Sequence, residues 1–131
     1  MPHVSLGGIR RLLVATAVME AGTGLALVAV PSRVAGFLLG ASLDAPASVI
    51  VARVAGVALA ALGLACWLGR HDGGSRAARG LVGAMLLYNV CVALVLVHGA
   101  TRLAPVGVGL WPTALLHTAM GGWYLAVSRR P

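Results

Sequence analysis

Glu20, Arg53, Asn89 and His117 are the residues of this sequence whose types could do chemistry together. An acid, a guanidinium, a carboxamide and an imidazole between them donate and accept hydrogen bonds in every common way. Each stands in an apolar run long enough to cross a bilayer. An ionisable side chain at such a depth is expensive and usually faces a bundle interior, with a partner and a job. A carboxylate and an imidazole in a dry pocket can serve as general acid and base, which makes Glu20 and His117 the catalytic candidates. Arg53, Asn89, Tyr88 and Trp111 are the ligand-binding candidates. They offer a planar fork, an amide, a hydroxyl and an aromatic face.

The apolar runs must bring these groups to one level. Glu20 interrupts LLVATAVMEAGTGLALVAV at residues 12–30. Counted at helical rise from the ends of the runs, Glu20 lies about 15 Å, Arg53 about 9 Å, and Asn89 and His117 each about 14 Å below one membrane surface. Four helices thus each give one strongly polar residue to one slab. A lone Glu or Arg at the helix centre costs roughly 2.5–3.5 kcal/mol. The expectation is that Glu20 pairs with Arg53 and that Asn89 and His117 close the same pocket. Thr16 and Thr23 flank Glu20 on its own helix.

The composition sets the class. The chain is 60% hydrophobic and only 10% charged, whereas a soluble domain carries about a quarter charged residues. The fold expected is all-α: a polytopic membrane protein, one four-helix transmembrane bundle over residues 1–131, with a short interfacial helix after the first span. The spans read as residues 10–30, 47–68, 80–98 and 108–127. Pro31 ends the first span, because proline cannot donate to the helix ladder, and it can open the next helix. SRVAGFLLG at 32–40 is too short to span, and it reads as an interfacial helix whose Phe37, Leu38 and Leu39 dip into the bilayer. Gly56, Ala60 and Gly63 line one face of the second span, where small residues let helices approach closely. Trp67, Trp123 and Tyr124 sit where interfacial anchors belong.

The net charge of +7 comes with ten arginines and no lysine. A nucleic-acid surface needs a solvated basic patch, but these arginines cluster at the ends of apolar runs. Seven of them, at 10, 11, 70, 76, 79, 129 and 130, fall on one side of the membrane and two, Arg33 and Arg102, on the other. By the positive-inside rule both termini are expected to be cytoplasmic, and the expected location is a cytoplasmic (inner) membrane. Arg10-Arg11 before an apolar run resembles a signal sequence, but Glu20 interrupts the core of that run, and the first helix is expected to be retained.

Other constellations are weaker. Glu20, Cys91, His98 and His117 are metal-ligand types without ligand spacing, so no metal site is expected. Cys66 and Cys91 are separated in depth by roughly 20 Å at helical rise, too far to bridge. There is no phosphate loop, nucleophile elbow or redox cysteine pair.

The run from Glu20 (EAGTGLAL) through Pro31, the Leu38-Leu39-Gly40 stretch, and Ala52-Arg53-Val54-Ala55-Gly56 resemble small bacterial four-helix membrane proteins of the DoxX-like type. So do Tyr88-Asn89 and the segment from Trp111-Pro112 to His117. The resemblance implies a four-helix bundle with a short helix after the first span. Some relatives of that type are linked to quinone-coupled sulfur oxidation or to amine-oxidation maturation. No established catalytic residue carries over to a position here.

Two functional readings stay open at this point. In the first, the polar layer holds a lipophilic ligand with a polar head, quinone- or lipid-like, and the protein works as an enzyme or a quinone-linked redox accessory. In the second, the layer only glues helices together in a structural or assembly subunit, alone as a homo-oligomer or within a larger membrane complex. A transporter or channel would need a polar stripe along a whole span, and the inner halves of these spans are almost wholly apolar.

Overall fold

Pro31 punctuates the first two helices. A computed structural model describes residues 6–102 and 106–129, and its first helix, α1, runs Leu6–Ala29. Val30 leaves helical geometry, at φ −135° and ψ 55°, and Pro31 opens α2, Pro31–Leu39, where its missing N–H is no loss. Gly40 stops α2 in the left-handed region, at φ 73°, its N–H returning to the Gly36 carbonyl. Proline opens a helix again at α3, Pro46–Gly69.

Helix α4, Arg76–Arg102, is longer than the apolar run that announced it. It starts early because the Ser75 hydroxyl accepts from the Ala78 N–H at 3.0 Å, capping its first turn. It also continues past His98, where the Thr101 hydroxyl donates to the His98 carbonyl at 2.7 Å in the last turn. The fifth helix, α5, runs Leu110–Ser128. Residues 6–9, ahead of the first expected span, already belong to α1. Residues 1–5 lie outside the described residues, as do Pro105 and Arg130.

The described residues form five helices and no strand. Residues 7–29 of α1, all of α3 and all of α4 are long and apolar enough to cross a membrane. Helix α5 has 19 residues, about 28 Å at helical rise. With Pro112, His117, two tryptophans and Tyr124 it does not reach the same apolarity. The outside of the bundle is as apolar as its inside: Val18, Leu25, Val51, Val57, Leu68 and Val95 are all more than 60% exposed. Such a surface suits hydrocarbon as solvent, not water.

The helices pack as two antiparallel pairs, α1 with α3 and α4 with α5, and contacts between the pairs are few. Glycine decides the first pair. A Cβ on Gly24 would lie 2.5 Å from the Gly56 carbonyl oxygen and 2.6 Å from the Ala60 nitrogen. A Cβ on Gly63 would lie 2.7 Å from the Ala21 nitrogen. The two backbones touch, as small residues on one face of a membrane helix allow.

Below Glu20, toward the chain ends, all four long helices contribute to one apolar cluster. It includes Leu12, Leu13, Cys66, Met85 and Tyr124, each fully buried. Tyr124 therefore is not the interfacial anchor expected from its place near a span end: its hydroxyl meets Thr16 Oγ1 at 2.6 Å inside the bundle. Its neighbour Trp123 points outward, and so does Trp67, under the Arg70 guanidinium, 3.8 Å above the ring centroid.

Candidate functional site

Toward the α2 end the packing opens. Small side chains at Thr23 and Ala26 on α1 leave room that leucines and methionines fill at the other end. The result is a cavity of about 260 Å³. Met19, Glu20, Thr23 and Ala26 of α1 line it, with Tyr88 of α4 and Thr113, Leu116 and His117 of α5. Val34, Phe37 and Leu38 of α2 form its roof. The roof is pinned: the Gly109 N–H donates to the Phe37 carbonyl at 2.9 Å, and Gly107 and Gly109 lie directly against Phe37. The helix expected to lie in the interface is thus also the cover of a pocket.

Three polar side chains, Glu20, Tyr88 and His117, form the floor, and Asn89 stands behind His117. Tyr88 Oη donates to Glu20 Oε2 at 2.9 Å. The Tyr88 and His117 rings meet edge to face, centroids 5.7 Å apart and planes at 77°. His117 Nδ1 and Asn89 Oδ1 are 2.9 Å apart, and Asn89 Nδ2 donates to the Met85 carbonyl at 2.8 Å. Adjacent residues on α4 point about 100° apart, since a turn takes 3.6 residues. Tyr88 thereby reaches α1 while Asn89 reaches α5.

Glu20, Asn89 and His117 are buried and share a level, and Tyr88 joins them as the direct partner of the carboxylate. Arg53 does not come to them. It is exposed, and among the described residues no ion pair joins it to Glu20. The register explains why. Gly56 meets Gly24, Leu27 and Val28, and Gly63 meets Ala17 and Ala21, so Arg53 is level with the end of α1. That is about ten residues from Glu20, or about 15 Å at helical rise. The pairing expected from depth fails because depth counted from loop ends carries no offset between neighbours. Trp111 is also outside the cavity, half exposed at the start of α5.

Thr23, Thr113, Leu38 and Phe37 line the cavity without having been singled out as ligand contacts. The signal available for Thr113 was its spacing four residues before His117, one turn up the same face. Nothing local marked the contact of Phe37 with the Gly107–Gly109 turn. Cys66 is buried in the apolar cluster, and Cys91 is exposed on α4.

Not every polar atom at the floor is used. Glu20 Oε1, His117 Nε2 and the Thr23 and Thr113 hydroxyls make no hydrogen bond with other described residues. None is sealed away either: among the described residues no side-chain nitrogen or oxygen is fully buried without a partner. These four residues all line the one cavity. A carboxylate oxygen and an imidazole nitrogen, both unengaged in otherwise apolar surroundings, can bind a polar head and can exchange a proton with it.

The chain matches no protein-family model, no curated protein and no solved structure.

Proposed function

We propose that this protein is a four-span membrane protein that binds a lipophilic molecule by its polar head in the cavity between Glu20, Tyr88 and His117. The observation that carries the reading is that Glu20 and His117 bring unengaged polar atoms to one apolar cavity. Burying such groups without partners is unfavourable, and a ligand head supplies the partners. The apolar walls suit the body of the molecule. Helix α5 serves as the fourth span because it packs along α4 and presents Leu115 outward. The likeness to DoxX-like proteins and to their quinone-linked members is part of this proposal, as is a role as enzyme or redox accessory.

The test is retention. Purified in mild detergent, the wild-type protein should carry a lipophilic compound detectable by mass spectrometry of its solvent extract. His117→Ala should lose most of that compound while the melting temperature changes little, and Glu20→Gln should weaken retention. A second reading has its own support: Glu20–Tyr88 and Thr16–Tyr124 are side-chain hydrogen bonds that join the two helix pairs. In that reading the layer is glue for a structural subunit, and His117→Ala would lower stability with no compound to lose.

The orientation proposed puts both chain ends in the cytoplasm and the cavity in the outer half of an inner membrane. Its support is the seven-to-two arginine bias. Arg53, exposed and level with the end of α1, then reaches the outer headgroups on its long stem. In a background lacking Cys66 and Cys91, a cysteine introduced by Ala100→Cys should react with an impermeant maleimide added to intact cells. One introduced by Gly74→Cys should stay unlabelled until the membrane is opened; the reverse pattern inverts the topology.

A further inference from the structure

We infer that the head this cavity selects carries a free hydroxyl, as in a phenol or an alcohol, and that heads with acceptors alone are discriminated against. The inference rests on the binding reading above and narrows its ligand class.

It follows from the order of hydrogen bonds behind His117. The Met85 carbonyl can only accept, so the Asn89 atom 2.8 Å from it is the amide nitrogen. The Asn89 oxygen is then the atom 2.9 Å from His117 Nδ1. That oxygen can only accept, so Nδ1 carries the proton. In a neutral imidazole one nitrogen donates and the other accepts. Nε2 is therefore a bare acceptor, and it has no partner among the described residues. A helix backbone carbonyl thus fixes the tautomer through one carboxamide, and the outcome is presented to the cavity that His117 lines.

The second open atom, Glu20 Oε1, is an acceptor when the acid is ionised and a donor when it is protonated. Tyr88 already donates to the other oxygen. A hydroxyl both donates and accepts, so it satisfies Nε2 by donation, and its lone pairs accept from Glu20 when the acid is protonated. A quinone, ester or ether has only acceptor oxygens. Such a head leaves Nε2 facing an oxygen lone pair, unpaired and desolvated. The Thr23 and Thr113 hydroxyls can serve a second oxygen of the ligand. Asn89 is in this account a positioning residue: it acts through His117, and the lining of the cavity does not include it.

The probes are 4-decylphenol and its methyl ether, which share body and tail and differ in the one donor. Binding to the purified full chain in detergent is read by titration calorimetry. The phenol should bind about tenfold or more tighter than the ether, the usual consequence of leaving a buried acceptor unmade. Equal affinity would overturn the inference and leave the binding reading standing; no binding of either would overturn both. 1-Dodecanol identifies the source of the hydroxyl: binding like the phenol supports an aliphatic alcohol as well, and binding far weaker supports an aromatic one. Asn89→Leu frees the ring to take the other tautomer, so the phenol-to-ether ratio should fall toward one, and an unchanged ratio in a folded variant would sink the role given to Asn89. Should that variant not fold, the unaltered protein decides. Nitrogen-15 NMR of histidine-labelled protein, with the signal assigned by its loss in His117→Gln, should show a protonated Nδ1 and a bare Nε2. A protonated Nε2 would end the argument.

Discussion

Replacing Gly24 with leucine is expected to dismantle the α1–α3 pair. The new Cβ would sit 2.5 Å from one backbone atom of α3 and 2.6 Å from another, and backbone cannot step aside as a side chain can. Overpacking a core typically costs about 1–3 kcal/mol; here the helices themselves must separate, and the loss should be at or above the top of that range. Gly22 is the control. It lies two residues away on the same helix, and a Cβ there meets nothing within 4 Å. Circular-dichroism melting and size-exclusion profiles in detergent should show Gly22→Leu close to wild type and Gly24→Leu largely aggregated. Equal behaviour of the two variants would show that the helices do not touch along this face.

Gly107→Val should leave the bundle standing and remove the roof of the cavity. A Cβ on Gly107 would collide with the Phe37 carbonyl oxygen, the same atom that accepts from the Gly109 N–H. The turn and α2 cannot then stay together. Helices α1, α3, α4 and α5 do not depend on that contact, since each long pair packs through its own faces. Helical content should hold within a few per cent by circular dichroism, while retention of a bound compound falls at least tenfold, because three of the lining residues belong to α2. Undiminished retention in the folded variant would show that α2 is not a wall of the site.

The helices were legible because uninterrupted apolar runs admit few other structures in a membrane. The meeting of Glu20 with Asn89 and His117 at one level was legible too, since a helix converts residue number into depth at a fixed rise. What depth omits is rotation and offset. Arg53 was misplaced because its run was measured from its own end, whereas the glycine contacts slide α3 along α1. Tyr88 and Asn89 look interchangeable in sequence, yet their different directions around α4 give one to Glu20 and the other to His117. Tyr124 resembled an anchor because a tyrosine near a span end usually is one; its partner Thr16 is 108 residues away. The roof was hidden for the same reason, being made where residues near 37 meet residues near 108.

The division into two helix pairs has a consequence for biogenesis. The α4–α5 hairpin closes its own polar pair, Asn89 with His117, before anything else need arrive. The α1–α3 hairpin does not: among the described residues, Glu20 finds its hydrogen bond on Tyr88 of the other hairpin. A first hairpin left alone in the bilayer therefore exhibits a carboxylic group with no protein partner, the kind of mark by which an unassembled membrane segment is told from a finished one. The same residue that faces the cavity in the mature protein would, during synthesis, report whether the second half of the chain has docked.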